Sequence, residues 1–401
     1  MTSTTNASFS DADLSHAIGD IIEGLFEPPL ALHEPVLGDS SLTRLHECVK
    51  SGWVSTAGPF VGQFEDVLAA YTGAKHVIAT SSGTAALHIC LKIAGVRIGD
   101  EVLIPSLSFV ATANAVAYCG AIPHFVDIDA ATLGMNPTLL ADRLKSIVEL
   151  RDGAAWNRET GRRISALVPM HTFGHPVDTR SLAKLADHYR LVLIEDAAES
   201  LGSLLDGQHT GTMGQLAALS FNGNKIVTTG GGGAILTNDP KLAQRARHLT
   251  TTAKIAHPWK LAHDEVGYNY RLPNLNAALG LAQMEQLEWS LERKRTLREV
   301  YDHAFSNLSA GTILKERSGV RCNYWLHGYL LNREFSGALE AIIGECHRRN
   351  IFVRPAWTPL HELPMFCNAP RTELPVTEDL CGRLLCLPSG AGVLSRRRHK
   401  D

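Results

Sequence analysis

The run Ser220-Phe221-Asn222-Gly223-Asn224-Lys225-Ile226-Val227-Thr228-Thr229-Gly230-Gly231-Gly232-Gly233 sets a lysine just ahead of four consecutive glycines. Upstream, the apolar run Leu191-Val192-Leu193-Ile194 ends in Glu195-Asp196, which places Asp196 29 positions before Lys225. Pyridoxal phosphate chemistry asks for this pair. A lysine amine condenses with the cofactor aldehyde, and an acid pairs with the ring nitrogen so that the ring draws electrons. Taken alone, the same residues also read as an exposed lysine beside a glycine linker and an aspartate capping a helix. The surrounding chain decides between them.

Working outward, apolar strand patterns alternate with helical ones. His76–Thr80 reads as a strand. Ser81 or Ser82 caps a helix whose Ala86, Ile89, Cys90 and Ile93 share one face, and Gly95 ends it. Val102–Ile104 is a strand closed by Pro105, Ala111–Tyr118 a helix, His124–Asp127 a strand. Ala166–Val168, Leu191–Ile194 and Gly233–Thr237 are further strands, with Ser181–Tyr189 a helix between the first two. Such alternation predicts an α/β fold with a mostly parallel sheet and helices on both faces. Ligands then sit beyond the carboxyl ends of the strands, where Asp196 and the Ser82 helix both lie. Residues 1–30 read as a weakly ordered arm or short helix, and 31–255 as the large domain. A long helical pattern after Pro273, running to about Leu308, bridges to a smaller α+β unit, so that 256–401 forms the second domain.

The chain of 401 residues carries a formal net charge of −3, too small and too evenly spread for a nucleic-acid footprint. The basic tail Arg396-Arg397-Arg398-His399-Lys400 reads as a solvated terminus. Eight cysteines without any Cys-x-x-Cys pair predict reduced cytoplasmic thiols and no metal site. No apolar stretch approaches a membrane span, and the first 20 residues lack the regions of a signal peptide.

Ser81-Ser82-Gly83-Thr84-Ala85 opens a helix with small residues, where free N–H groups and the dipole favour a phosphate. Gly83 permits close backbone approach and Thr84 adds a hydroxyl; an ordinary serine cap is the plainer reading. Phe109, just past the strand ending at Pro105, is placed to stack on a planar ring, though most such phenylalanines are core. An Asp196 carboxylate at the end of an apolar run calls for a cationic partner, and a ring nitrogen supplies one.

These motifs occur in order with Gly99-Asp100-Glu101-Val102, Phe109-Val110-Ala111-Thr112-Ala113-Asn114-Ala115, Phe125-Val126-Asp127-Ile128-Asp129, Glu195-Asp196-Ala197-Ala198 and Gly267-Tyr268-Asn269-Tyr270-Arg271-Leu272. Over about 30–390 the chain closely resembles the DegT/StrS-type sugar aminotransferases, pyridoxal-phosphate enzymes of fold type I. The resemblance implies that Lys225 holds the cofactor and carries the proton, Asp196 holds the ring nitrogen, and Gly83, Thr84 and Ser220 bind the phosphate. It implies that Phe109 covers the ring and that Asn269 reaches the phosphate of a neighbouring subunit, because the family builds its sites at a homodimer interface. Trp53, Arg271 and His361 are candidates for the sugar-nucleotide pocket. Two features depart from the family. Glu199 stands beside the ring hydroxyl where Gln or His is commoner, and the chain ends soon after Leu387-Pro388-Ser389-Gly390, where relatives continue into a closing helix.

Phe221-Asn222-Gly223-Asn224-Lys225 and Gly52-Trp53-Val54-Ser55 look most like the branch acting on UDP-4-keto-6-deoxy-N-acetylhexosamines; Asn222-Gly223 also reads as a plain hairpin turn. The implied reaction moves an amino group from glutamate to the C4 ketone of a nucleotide-linked sugar, in two half-reactions. GDP-perosamine-type and dTDP-sugar aminotransferases are the alternatives. A sugar dehydratase of the same fold would carry histidine in place of Lys225, and a non-catalytic regulator would have no need to keep Lys225, Asp196 and the phosphate cradle together.

Overall fold

The computed structural model describes residues 10–398. Its centre is a sheet whose main path takes seven strands: β1 (His76–Thr80), β2 (Glu101–Pro105), β3 (Ile122–Val126), β4 (Arg163–Leu167), β5 (Val192–Asp196), β6 (Leu216–Ser220) and β7 (Gly233–Thr237). They lie in the order β1-β7-β6-β5-β4-β2-β3. From β6 to β3 every pairing is parallel, whereas β7 runs antiparallel to both β6 and β1. The parallel strands are buried on both faces, which is why they read as continuous apolar runs rather than alternating ones. The expected elements recur within a few residues of their predicted bounds. The sheet also carries an antiparallel hairpin, Val148–Arg151 with Ala154–Asn157, joined through Asp152 and Gly153 in left-handed conformation.

The registers bring three segments to one edge. Ser220 at the end of β6 pairs with Gly233 at the start of β7, and Gly233 pairs with Thr80 at the end of β1. The loop 221–232 is therefore a long hairpin connection leaving the same edge as the Ser82 helix. Asn222-Gly223 does not close it; those residues form a turn in which the Lys225 N–H donates to the Asn222 carbonyl.

A smaller unit holds an antiparallel sheet of Gly311–Ile313, His327–Leu331, Leu384–Leu387 and Arg354–Pro355. The single long helix expected after Pro273 is two, Asn274–Glu285 and Leu287–Ala304, because Gln286 leaves helical geometry at φ −103°, ψ 0°. The expected arm contains a helix of 15 residues, Asp11–Leu25, opened by a capping box of Ser10 and Asp13. Its Leu14, Ile18 and Ile22 are fully buried with Tyr301, Ile342 and Tyr329 in the core of the smaller unit. At the other end Val393 joins the same core and Arg397 bridges to Phe26. The basic residues up to Arg398 are exposed, and His399 and Lys400 lie outside the described residues. All eight cysteines are free thiols, and no described helix is long and apolar enough to cross a membrane.

Candidate active site

Ser82 caps the helix Gly83–Ile93, its hydroxyl accepting the Ala85 N–H at 3.0 Å. The Ala86 N–H goes to the Ser82 carbonyl, which leaves the first two N–H groups, of Gly83 and Thr84, outside the helix ladder. Glycines make the approach to this terminus possible. A Cβ on Gly83 would meet Ser220 Cβ at 2.8 Å, and one on Gly233 would meet the Ser82 carbonyl carbon at 2.5 Å. Ser82, Gly83, Thr84 and Ser220 thus form one small-residue cradle at the sheet edge.

The cradle opens into a cavity of about 300 Å³, to which Phe109, Asp196, Glu199, Lys225, Gly231 and Gly232 also contribute. Asp196, at the end of β5, is 2% exposed. Thr112 Oγ1 donates to its Oδ2 at 2.7 Å and the Ala198 N–H to its Oδ1 at 3.2 Å. Burial pushes the Asp196 carboxyl above the usual range, against the pull of these donors. No cation is bonded to it among the described residues, and it faces the cavity, from which a cation can reach it.

Lys225 Nζ donates to Glu199 Oε1 at 2.9 Å and lies 3.8 Å from the centre of the Trp325 ring. Glu199 is also held through Oε2 by the Phe173 N–H at 2.9 Å, from a residue in left-handed conformation at φ 56°. Burial raises the Glu199 carboxyl to about 7, although Lys225 opposes the shift. Trp325 Nε1 donates to the Asn224 carbonyl at 2.8 Å, fixing the ring beside the lysine.

Pyridoxal phosphate fits this set of groups. The cradle offers backbone donors to a phosphate, Asp196 lacks a cation for its buried charge, and Lys225 presents an amine in the same cavity. Seven of the residues singled out from the sequence line it: Gly83, Thr84, Phe109, Asp196, Glu199, Ser220 and Lys225. Four do not. Asn269 is exposed, its backbone bridged to Thr251. Trp53 is 59% exposed. Arg271 bridges to Thr80 through its backbone and reaches the Thr56 carbonyl at 3.3 Å and Glu65 at 3.7 Å. His361 is buried, bonded through Nδ1 to Ser106 Oγ at 2.7 Å. Thr112, Trp325 and Trp357 line the cavity but carried no signal of their own. Thr112 stood within the Phe109–Ala115 motif, one turn from Phe109. The two tryptophans reach the site from the smaller unit, and no local pattern marks such a visit.

A GDP-perosamine synthase of Vibrio cholerae is 32% identical over 91% of this chain and 95% of the relative. The putative pyridoxal phosphate-dependent aminotransferase EpsN of Bacillus subtilis is 36% identical over 90% of this chain and 91% of its own. Among solved structures, the aminotransferase TlmJ from Streptoalloteichus hindustanus superposes with a TM-score of 0.80 at 29% identity, covering 90% of this chain and 93% of TlmJ. The family model for DegT/DnrJ/EryC1/StrS aminotransferases matches residues 35–397. On this match over nearly its whole length, and with a lysine, a buried aspartate and a small-residue cradle facing one cavity, the chain belongs to the DegT/DnrJ/EryC1/StrS family of pyridoxal-phosphate-dependent aminotransferases.

Proposed function

We propose that this enzyme aminates the C4 ketone of a nucleotide-linked 4-keto-6-deoxy sugar, with glutamate as amino donor. The observation that carries the reading is the convergence of Lys225, Asp196 and the Ser82–Thr84 helix start on one cavity. When bound, pyridoxal phosphate supplies an aldehyde that exchanges amino groups and a ring that takes up the electron pair released at carbon. The residues of the chain do the rest. Gly83, Thr84 and Ser220 bind the phosphate, and the Asp196 carboxylate holds a proton on the ring nitrogen. Lys225 tethers the cofactor between turnovers and moves the proton during them. Glu199 receives the Lys225 ammonium at 2.9 Å when the lysine is free. Phe109 and Trp357, with ring centres 6.0 Å apart, give the cavity an apolar wall.

For the sugar, the segments Gly52–Ser55 and Phe221–Lys225 support a UDP-linked N-acetylhexosamine. A second reading, a GDP-linked sugar, is favoured by the Vibrio cholerae relative. We also propose that the enzyme works in the cytoplasm as a homodimer with shared sites, Asn269 reaching the partner's phosphate; the exposure of Asn269 supports this. Borohydride reduction and peptide mapping test the chemistry, with the pyridoxyl label expected on Lys225; a label elsewhere overturns the assignment. Specificity constants with UDP-, GDP- and dTDP-linked 4-ketosugars test the substrate. A pocket built to bond an acetamido group rejects a sugar lacking it, because its polar partners are left unpaired. Preference for a GDP- or dTDP-sugar would leave the reaction standing and change the sugar.

A further inference from the structure

Lys294, on the helix Leu287–Ala304, is 1% exposed. Its Nζ donates to three main-chain carbonyls: Tyr324 at 3.2 Å, Trp325 at 3.1 Å and Ser389 at 2.5 Å. These use all the protons an ammonium carries. The amine therefore serves three backbone acceptors and no carboxylate, in a place where a plain hydrocarbon chain would be cheaper to bury.

The loop it holds is unusual. Tyr324 stands in left-handed conformation at φ 49°, which a bulky residue keeps only where its surroundings over-determine it. Asn323 ties the loop to the active site, donating through Nδ2 to the carbonyls of Glu199 at 2.8 Å and Leu201 at 2.9 Å. Its Oδ1 accepts the Trp325 N–H at 2.8 Å. The product of these constraints is the Trp325 ring, which lies 3.8 Å from Lys225 Nζ. A cation over an indole face is attracted to it, and the ring blocks one direction in which the lysine could swing.

We propose that Lys294 is a positioning residue for the reaction: by tying down the Tyr324 and Trp325 carbonyls against Ser389, it sets the ring that aims the Lys225 amine. This rests on Lys225 being the reacting amine.

The experiment compares Lys294→Met, Trp325→Leu and the double variant, each as the full chain loaded with pyridoxal phosphate. In Lys294→Met, amide hydrogen exchange should speed up across 322–327. The kcat should fall about tenfold with the KM for the donor little changed, the split expected when a reacting group is misplaced rather than binding lost. The double variant should be no slower than Trp325→Leu alone, because two changes on one route do not add. Lys294→Gln, which keeps two N–H donors, should recover part of both effects, and it replaces Lys294→Met in the cycle if that variant fails to fold. The proposal is overturned if kcat is unchanged, if exchange rises without loss of rate, or if the two single penalties multiply in the double variant. Borohydride labelling of the wild-type preparation separates the two readings. No label on Lys225 sinks the assignment of the amine, whereas a label with multiplying penalties sinks only the role of Lys294.

Discussion

Asp196 shows at the residue scale how an unfavourable feature becomes a site. A carboxylate 2% exposed, served by one hydroxyl and one N–H, sits above its ordinary pKa because burial outweighs both donors. A cation delivered to it would restore the charged form, and on the proposed reading the ring nitrogen of the cofactor is that cation. Asp196→Asn keeps the volume and removes the charge. The variant should fold and bind pyridoxal phosphate yet lose a hundredfold or more in turnover, about 3 kcal/mol in the barrier. Steady-state assays on protein with measured cofactor content check this, and near wild-type turnover would reduce Asp196 to a helix cap. Asp196 and Lys225 were legible in the sequence because each departs from its local pattern, an acid ending an apolar run and a lysine ahead of glycines. Thr112 and Trp325 were not, since a threonine in a small-residue helix and a tryptophan in an apolar stretch break no rule.

At the scale of elements, the hairpin loop between β6 and β7 and the start of the Ser82 helix are held together by missing side chains. Gly233→Ala would push a methyl against the Ser82 backbone at 2.5 Å, where nothing flexible can yield. The expected result is weakened pyridoxal phosphate binding together with a fall in stability on the order of 1–3 kcal/mol, the usual cost of overpacking; cofactor titration and thermal melting measure the two. Lys294 offers a pH test of element contacts. Burial lowers its pKa from 10.5 to about 7, against the three carbonyls, which favour the ammonium. His33 and His327 lie close enough to feel its charge, and Cys322 opposes the shift. With the folded value below the unfolded one, the unfolded chain binds more protons between those limits. Lys294 therefore adds stability as pH rises from about 7 towards 10.5. Lys294→Met should flatten the stability curve over that window in urea titrations, and a slope identical to wild type would count against a depressed lysine. Strand and helix periods made most of the large sheet readable beforehand. The Val148–Asn157 hairpin was missed although Asp152-Gly153 is a turn signal, because its strands are short and one is largely exposed.

For the whole molecule, the unread part lay in how distant segments meet. The Asp11–Leu25 helix is polar enough along its exposed face to resemble a loose arm, and only the smaller unit's core explains its buried Leu14, Ile18 and Ile22. The same holds for Trp325 and Trp357, which complete a cavity begun by the large sheet. Trp259, Leu261 and Val266 are each about 80% exposed, at 79%, 79% and 83%, shortly before the exposed Asn269. An apolar edge of this kind suits burial against a second copy of the chain, as the proposed shared-site dimer requires. If Asn269 serves the partner's phosphate, each site draws Lys225 from one subunit and Asn269 from the other. Chains carrying Lys225→Ala should be inactive alone, and chains carrying Asn269→Ala should bind the cofactor weakly. In a mixed dimer one site inherits both defects and the other inherits neither. Mixing the two variants under conditions of subunit exchange should therefore restore activity, approaching one working site per mixed dimer. The restored activity should keep wild-type affinity for pyridoxal phosphate, which separates true complementation from residual turnover by the Asn269→Ala chain. If exchange is verified by mass and no activity returns, each site is built within a single chain and Asn269 acts elsewhere.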